Sequence, residues 1–387
     1  MDVTRTRRGL PTLIADPEAL AGLADRFSKL QQLALDTEAA SFHRYVDRVY
    51  LIQLSNADET ALIDPLAVTD LGPLGRLLAD RSIETIVHDA DYDLRILNRD
   101  YGFQVRNIFD TRVAAQFAGE PSLGLGALLE RHFKIKLNKK LQRADWSRRP
   151  LTQEMIKYAA DDTRYLLDLR DKLKARLVET GRLPWAEEEF GRLERIRWTP
   201  QPENQESFLR IKGAKSLQRR PLALLQALHE WREGTAREQD RAPFRIMGNA
   251  ALIAIATAAP QTQSQLAAVP GVPASAVRRY GGALVAAVKK GLAVPEGSLP
   301  TIKRAGRADH DPGYDRRLEA LKQLRNRKAR ELNLEPGVLC PNATLQAIAR
   351  AAPKTIKQLE RIAELRRWQI DVLGSAEVLA AGRPETQ

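Results

Sequence analysis

The back half of this 387-residue chain contains an internal repeat. Residues 225–266 align without a gap to residues 318–359, so every matched position lies 93 residues from its counterpart. Identical residues at matched positions include Ala236 and Ala329, Pro243 and Pro336, Asn249 and Asn342, Pro260 and Pro353, and Leu266 and Leu359. Each copy alternates helical periodicity with proline-bearing turns, which predicts two all-helical bundles of about 70 to 80 residues. A chain of this length is expected to form two or three domains.

Three separated stretches of the front half place acidic residues where a metal site needs them. Residues 33–35 are apolar and lead directly into Asp36 and Glu38, a pattern typical of a buried strand. Side chains two apart on a strand share a face, so these two carboxylates point the same way. Asp93 follows a predicted strand at residues 85–87 and falls near the start of a predicted helix.

The third stretch places a phenol beside a carboxylate. Tyr158 and Asp162 are one turn apart on a predicted helix and therefore share its face. Magnesium and similar hard cations take oxygen ligands, which suits an acid cluster that has no histidine or cysteine partner. Two such ions about 3.5 to 4 Å apart can activate water and stabilise the leaving oxygen of a phosphodiester. The acids therefore predict a nuclease with two divalent metal ions, Mg²⁺ or Mn²⁺, and Tyr158 suits orienting the attacking water.

Each acidic signal also has a simpler explanation when it is taken alone. Most Asp-x-Glu pairs are surface carboxylates or helix caps. Asp93 suits the first turn of any helix, where the macrodipole favours an acid, and Asp161 and Asp162 could be a solvated pair. The conjunction of all three stretches in order favours the metal site.

Several longer motifs surround these residues. They are DTE at 36–38, VYLIQLS at 49–55, HDADYDL at 88–94, IFDTRVAAQF at 108–117 and ADWSRRPLTQEMIKYAADDTRYL at 144–166. Over about residues 30 to 180 the chain resembles the DEDD superfamily of 3′-to-5′ exonucleases, in the subclass with a Tyr-x-x-x-Asp third motif, and within it the ribonuclease D family. The repeated segments resemble tandem HRDC domains.

The resemblance implies a fold and an arrangement of domains. The expected fold is an α/β ribonuclease H-like exonuclease domain, a mixed central sheet flanked by helices, followed by two small all-α HRDC-type bundles. The expected domains are residues 1–198, 207–293 and 313–383, with linkers near 198–206 and 294–312. Trp146 is expected to be a packing anchor rather than a base-stacking platform.

The resemblance also implies an activity and its residues. The activity is that of a metal-dependent exoribonuclease that trims the 3′ ends of tRNA precursors and other structured RNAs and releases nucleoside 5′-monophosphates. The family's metal ligands would fall on Asp36, Glu38, Asp93 and Asp162, and its water-orienting phenol on Tyr158. Asp110 matches a recurring family acid, but it precedes a predicted helix, so an N-cap is the simpler explanation.

Positive charge is unevenly distributed along the chain. The net charge is +12, and residues 206–387 hold 30 Lys and Arg against 17 Asp and Glu, whereas residues 1–205 hold 31 against 32. Residues 131–149 contain eight basic residues and one acid, and we expect them to form a lip that holds RNA, with Lys139 and Gln142 at family positions. Arg278 and Arg279 near a predicted helix start are candidates for phosphate contacts. A solvated basic face is the alternative explanation of the uneven charge, and helix-end cations that complement the dipole are the alternative explanation of Arg278 and Arg279.

The same residues are also compatible with functions other than RNA cleavage. The same acids and metals would serve a 3′-to-5′ DNA exonuclease, and a non-catalytic relative could merely bind nucleic acid. A helicase is disfavoured because the chain has no G-x-x-x-x-G-K-[ST] phosphate loop.

Cysteine content and hydropathy predict the compartment. The single Cys340 excludes an intramolecular disulfide and is expected to be buried in a reducing compartment. The N-terminal segment lacks the apolar core of a secretion signal, and no apolar run is long enough for a membrane span. We therefore expect a cytoplasmic monomer that has RNA, and no membrane, as its partner.

Overall fold

The computed structural model describes residues 10–200, 206–302, 311 and 313–381. These residues include six strands in one mixed sheet with the order β1-β4-β3-β2-β5-β6. The strands are β1 (Thr12–Ile14), β2 (Gln32–Ala39), β3 (Val49–Ser55), β4 (Thr60–Ile63), β5 (Glu84–Val87) and β6 (Ile108–Asp110). Strand β2 pairs antiparallel with β3 and parallel with β5, so the strand that carries Asp36 and Glu38 is central.

Eight helices cover the two faces of this sheet. They are α1 (Pro17–Phe27), α2 (Gly72–Ala79), α3 (Asp91–Tyr101), α4 (Thr111–Ala118), α5 (Leu125–Phe133), α6 (Gln153–Thr163), α7 (Leu166–Glu179) and α8 (Leu183–Leu193). The apolar residues of α1 to α3 pack on one face, and those of α4, α7 and α8 on the other. Because both faces are covered, every residue of β3 is buried. The predicted α/β fold, a mixed sheet flanked by helices, is confirmed.

The back half folds into two helical bundles, as the repeat predicted. The first contains α9 (Arg219–Glu238), α10 (Pro243–Ile246), α11 (Asn249–Ala258), α12 (Gln263–Ala267) and α13 (Ala274–Leu292). The second contains α14 (Tyr314–Leu332), α15 (Pro336–Leu339), α16 (Asn342–Ala351), α17 (Ile356–Leu359), α18 (Arg367–Leu373) and α19 (Ser375–Ala381). Short 3₁₀ helices lie at Ser207–Arg210, Ala214–Ser216 and Glu296–Ser298.

A buried arginine recurs at the same place in both bundles. The guanidinium of Arg232 donates to the side-chain oxygen of Asn249, at 2.6 Å, and that of Arg325 to Asn342, at 2.8 Å. Each Nη1 also donates to the backbone carbonyl two residues before that asparagine. The matched sequences therefore place the same charge-assisted link between the long first helix and the start of the third.

The second bundle packs on the nuclease domain through α8. The carboxylate of Glu188 accepts hydrogen bonds from the backbone N–H groups of Arg367 and Trp368, each at 2.9 Å, and thereby caps α18 from another domain. The Trp368 ring lies 5.3 Å from that of Trp185 and 5.0 Å from that of Phe117. This bundle thus shares a continuous apolar core with α4 and α8.

Parts of two predicted linkers and of two predicted domain ends lie outside the described residues, namely 1–9, 201–205, 303–310, 312 and 382–387. Within the described ranges, no helix has the length and apolarity needed to span a membrane. Cys340 is buried, as expected.

Candidate active site

Three of the predicted metal ligands meet at one point. Asp36 and Glu38 project from the same face of β2, and Asp162 projects from α6, which packs across β2, β3 and β4. One carboxylate oxygen from each of these residues lies within 4.8 Å of the others. The hydroxyls of Thr163 and Ser55, 2.7 Å apart and buried, attach the end of α6 to β3. The sheet and one helix therefore bring together acids that are far apart in the chain.

The fourth predicted ligand, Asp93, reaches the site from a different side. It lies in the first turn of α3, and its carboxylate accepts a hydrogen bond from the hydroxyl of Thr37. Thr37 is between Asp36 and Glu38, the two predicted ligands on β2, so its side chain points to the opposite face. Asp93 lies outside the group of three within 4.8 Å, yet it is near enough to raise the pKa values of both β2 carboxyls.

Burial and mutual repulsion make these carboxyl groups reluctant to ionise. Loss of hydration is the largest cause in each case, followed for Asp36 and Glu38 by the charges of the other acids. The pKa values of Asp36 and Glu38 are raised well above the usual range. The pKa values of Asp93 and Asp162 rise to about 7. A bound divalent cation would displace these protons and offset the repulsion.

Tyr158 stands beside the acids as an un-ionised phenol. Burial, and next the negative charge of Asp162, raises its pKa far above the usual value. Its hydroxyl is hydrogen-bonded to the carboxylate of Asp162. The ring packs 6.0 Å from that of Trp146, which is fully buried, so the expectation of a packing anchor is confirmed. The phenol is therefore held in place as a neutral hydrogen-bonding group.

A cavity of about 390 Å³ opens over the acids. Its lining includes Asp36, Glu38, Tyr158, Asp162, His88, Asp89, Arg112, Asn138, Lys139 and Gln142. The basic lip at residues 131–149 thus contributes the two residues expected from it, Lys139 and Gln142. Arg278 and Arg279 are not among the residues that line this cavity. They are exposed on α13 in the first bundle.

His88 is a cavity residue that the sequence reasoning missed. Its Nδ1 is 2.9 Å from the Thr111 hydroxyl, which donates its only proton to the Val87 carbonyl at 2.8 Å. Nδ1 must therefore carry the ring proton, which leaves Nε2 as an acceptor. Burial, and next the charge of Arg112, lowers the His88 pKa to about 4, so the ring is neutral. The sequence signal that could have identified His88 as a site residue is its position as the first residue of the HDADYDL motif.

Asp110 acts as the predicted N-cap and holds a second loop as well. Its carboxylate accepts from the backbone N–H groups of Arg112 and Val113 in α4, at 2.8 and 3.1 Å. It also accepts from those of Asp89 and Ala90, at 3.2 and 2.9 Å. Asp89 has a φ of 65°, a left-handed conformation that needs such support. One buried carboxylate therefore joins α4 to the loop that leads into α3 and Asp93.

Replacing Asp110 with alanine is expected to destabilise the nuclease domain by about 2 to 4 kcal/mol, because buried N–H groups lose their acceptor. Urea unfolding followed by circular dichroism measures the change. Asp16→Ala is the matched control, since that exposed cap of α1 accepts a single N–H, from Ala19 at 2.8 Å, and should cost about 1 kcal/mol or less. Equal losses in the two variants would contradict a joining role for Asp110.

Comparisons with known proteins agree with this geometry. A family model described as 3′-5′ exonuclease matches residues 11–178, and one described as HRDC domain matches residues 221–288 and 315–381. The chain is 32% identical over 339 residues to ribonuclease D of Desulfotalea psychrophila, covering 87% of this chain and 90% of that protein. It is 34% identical over 313 residues to ribonuclease D of Escherichia coli, covering 81% and 82%.

Solved structures show the same likeness. E. coli RNase D, described as an exoribonuclease involved in structured RNA processing, superposes with a TM-score of 0.69 at 29% identity, covering 95% of this chain and 97% of that one. The catalytic core of RRP6 from Trypanosoma brucei superposes with a TM-score of 0.65 at 28% identity, covering 73% and 79%. A protein from Bifidobacterium adolescentis, at 24% identity, shares the fold with a TM-score of 0.83.

Proposed function

Since the chain belongs to the ribonuclease D family of 3′-5′ exoribonucleases, we propose that it hydrolyses RNA 3′ ends with two divalent ions, Mg²⁺ or Mn²⁺. The proposed ligands of these ions are Asp36, Glu38, Asp93 and Asp162. The convergence of three carboxylates within 4.8 Å, in a cavity with a basic lip, is the observation that carries this proposal. The donor set consists of oxygen atoms alone, which suits hard cations.

Each side chain has a separate task in the proposed mechanism. When bound, the ions would lower the pKa of the attacking water and stabilise the negative charge that develops on the leaving oxygen. The carboxylates fix the positions of that charge, and the un-ionised hydroxyl of Tyr158 orients the attacking water without removing its proton. The water oxygen attacks the phosphorus of the terminal phosphodiester, and the bond from that phosphorus to the 3′ oxygen of the preceding nucleotide breaks. The 3′ oxygen leaves as a hydroxyl that gains one proton from the water, and a nucleoside 5′-monophosphate is released. Lys139 and Gln142 at the cavity rim bind the RNA backbone behind the scissile bond.

The proposed substrates are tRNA precursors and other structured RNAs with 3′ extensions. Two observations support this choice: the description of E. coli RNase D as acting in structured RNA processing, and the excess of basic residues in the two bundles. We assign residues 1–198 to cleavage and residues 207–293 and 313–383 to holding the body of the RNA, with Arg278 and Arg279 among its contacts. A monomeric state and a cytoplasmic location stay predictions.

A product analysis tests polarity and metal need together. With Mg²⁺, a 5′-labelled RNA with a single-stranded 3′ tail is expected to give a ladder that shortens from the 3′ end, and a 3′-labelled copy to release labelled mononucleotide at once. EDTA should abolish both. DNA of the same sequence is the matched substrate, and we expect it to be digested more slowly. Cleavage from the 5′ end, or activity that survives EDTA, would refute the proposal.

A further inference from the structure

Two partly exposed phenylalanine rings meet where the first bundle touches the nuclease domain. Phe42 lies in the segment after β2 and is 40% exposed, and Phe244 lies on α10 and is 54% exposed. Their ring centroids are 6.2 Å apart, and the ring planes meet edge to face at 75°. Apolar side chains that are exposed together, rather than singly, are candidates for a binding surface.

Backbone contacts position this pair independently of the ring contact. The backbone N–H of Ala242 donates to the carbonyl of His43 at 3.2 Å, and the guanidinium of Arg245 donates to the carbonyl of Phe42. The imidazole of His43 contacts the carbonyl of Arg143 at 2.9 Å. The segment after β2, the basic lip and the first bundle therefore form one junction.

The junction borders the cavity that contains the acids. Gln142 lines that cavity, and the guanidinium of the next residue, Arg143, lies 5.0 Å from the centre of the Phe42 ring. Phe42 follows Glu38 by four residues, so their Cα atoms are at most about 14 Å apart. Stacked nucleotides rise about 3.4 Å each, so the backbone of Phe42 lies within about four nucleotide steps of the backbone of Glu38.

The chemistry of the junction suits single-stranded nucleic acid. Arg143 and Arg245 are both exposed beside the rings, and cations next to exposed aromatic rings are the usual means of binding unpaired strands. Aromatic rings stack on any base, whereas the guanidinium groups contact phosphates. Such a surface would accept an RNA tail without reading its sequence, as an exonuclease that moves along a strand requires.

We propose that Phe42 and Phe244, neither of which lines the acid cavity, form a base-stacking site for the unpaired RNA tail, between the second and about the fourth nucleotide on the 5′ side of the one removed, and that Arg143 and Arg245 contact its phosphates. The inference rests on the proposed function, since it assumes that the 3′ end lies at the acids. It also implies that the first bundle is needed for processing of short unpaired tails, because it supplies one of the two rings.

Substrate length separates this site from the acid cavity. The double variant Phe42→Ala/Phe244→Ala is expected to raise KM for an unpaired decamer about 10- to 100-fold, because base stacking is lost, and to leave kcat/KM for a dinucleotide unchanged. Trp198→Ala, an aromatic residue that is 41% exposed and lies outside the cavity, is the matched control and should change neither value. Equal losses on both substrates, or no loss on the decamer, would overturn the proposal.

A binding measurement keeps the test independent of cleavage and of folding. In an Asp36→Asn background, 2-aminopurine is placed in turn at each of the last six positions of the decamer, and its fluorescence should be quenched at one or two positions behind the 3′ end. Phe42→Leu/Phe244→Leu keeps an apolar contact between the domains and should abolish the quenching, whereas Phe42→Tyr/Phe244→Tyr should restore it. Quenching that persists in the leucine variant would overturn the stacking site. If the unmodified protein cleaves no RNA, the proposed function is wrong. The 2-aminopurine quenching still tests the stacking site in that case, because it does not depend on cleavage.

Discussion

Asp36→Asn is expected to lower kcat on a 3′-tailed RNA by about 10³-fold or more at saturating Mg²⁺. Asp36 lies in the group whose oxygens are within 4.8 Å of one another, where the proposed ions would be held. Asparagine has the same shape but no charge, so β2 keeps its packing while the proposed metal site loses a negative charge. Steady-state rates with the labelled RNA measure the effect.

The same variant is expected to be more stable than the unmodified protein in EDTA at pH 8, because it removes one of several like charges from a buried site. Thermal unfolding compares the two proteins. Asp25→Asn is the control, since Asp25 is 71% exposed and pairs with Lys29 on the surface, and it should change stability by about 0.5 kcal/mol or less. An unchanged kcat would refute the ligand assignment, and a large loss of stability would attribute the lost activity to unfolding.

In EDTA, stability is expected to fall by roughly 1 to 2 kcal/mol between pH 6.5 and 8, because the two carboxyl groups with folded pKa values of about 7 lose most of their protons across this window. Asp93 and Asp162 have folded pKa values of about 7, and those of Asp36 and Glu38 are also raised. In this window the unfolded chain has ionised all four acids, whereas the folded protein still binds protons there. Since the folded state binds more protons, its stability falls as pH rises.

The pH window begins at 6.5 to limit the opposing contribution of His88 to the pH dependence of stability. The His88 pKa is lowered to about 4, so below the unfolded value of about 6.5 the unfolded chain binds a proton that the folded protein does not. That difference makes stability rise with pH at lower pH. Above pH 6.5 fewer than half of the unfolded rings are protonated, so the slope reports mainly on the acids.

Divalent metal should reverse the trend. At 100 times its dissociation constant a cation adds about 2.7 kcal/mol of stability, and the gain should grow with pH because the ligands must lose protons to bind it. Urea unfolding at pH 6.5, 7.2 and 8, in EDTA, Mg²⁺ and Mn²⁺, tests this directly. Asp36→Asn/Asp162→Asn is the control and should flatten both slopes. Stability that rises with pH in EDTA would show that the acids are not crowded as described.

Local sequence was sufficient to predict those features that depend on residues close together in the chain. Alternation along β2 put Asp36 and Glu38 on one face, and one helical turn put Tyr158 beside Asp162. Asp110 could be recognised as a cap because it directly precedes α4. The repeat of 93 residues predicted two bundles, since matched apolar periodicity produces matched helices.

Tertiary packing alone decided the distances between these elements. Periodicity specifies which face a residue occupies but not what lies opposite that face. It therefore could not show that the Asp162 carboxylate lies within 4.8 Å of those of Asp36 and Glu38. Nor could it show that Asp93 accepts a hydrogen bond from Thr37 beside that group. The tautomer of His88 depends on a hydroxyl that α4 supplies, and the pairing of Phe42 with Phe244 depends on how the first bundle docks. These features come from contacts between residues distant in sequence, which form only when the hydrophobic cores of the separate elements pack together.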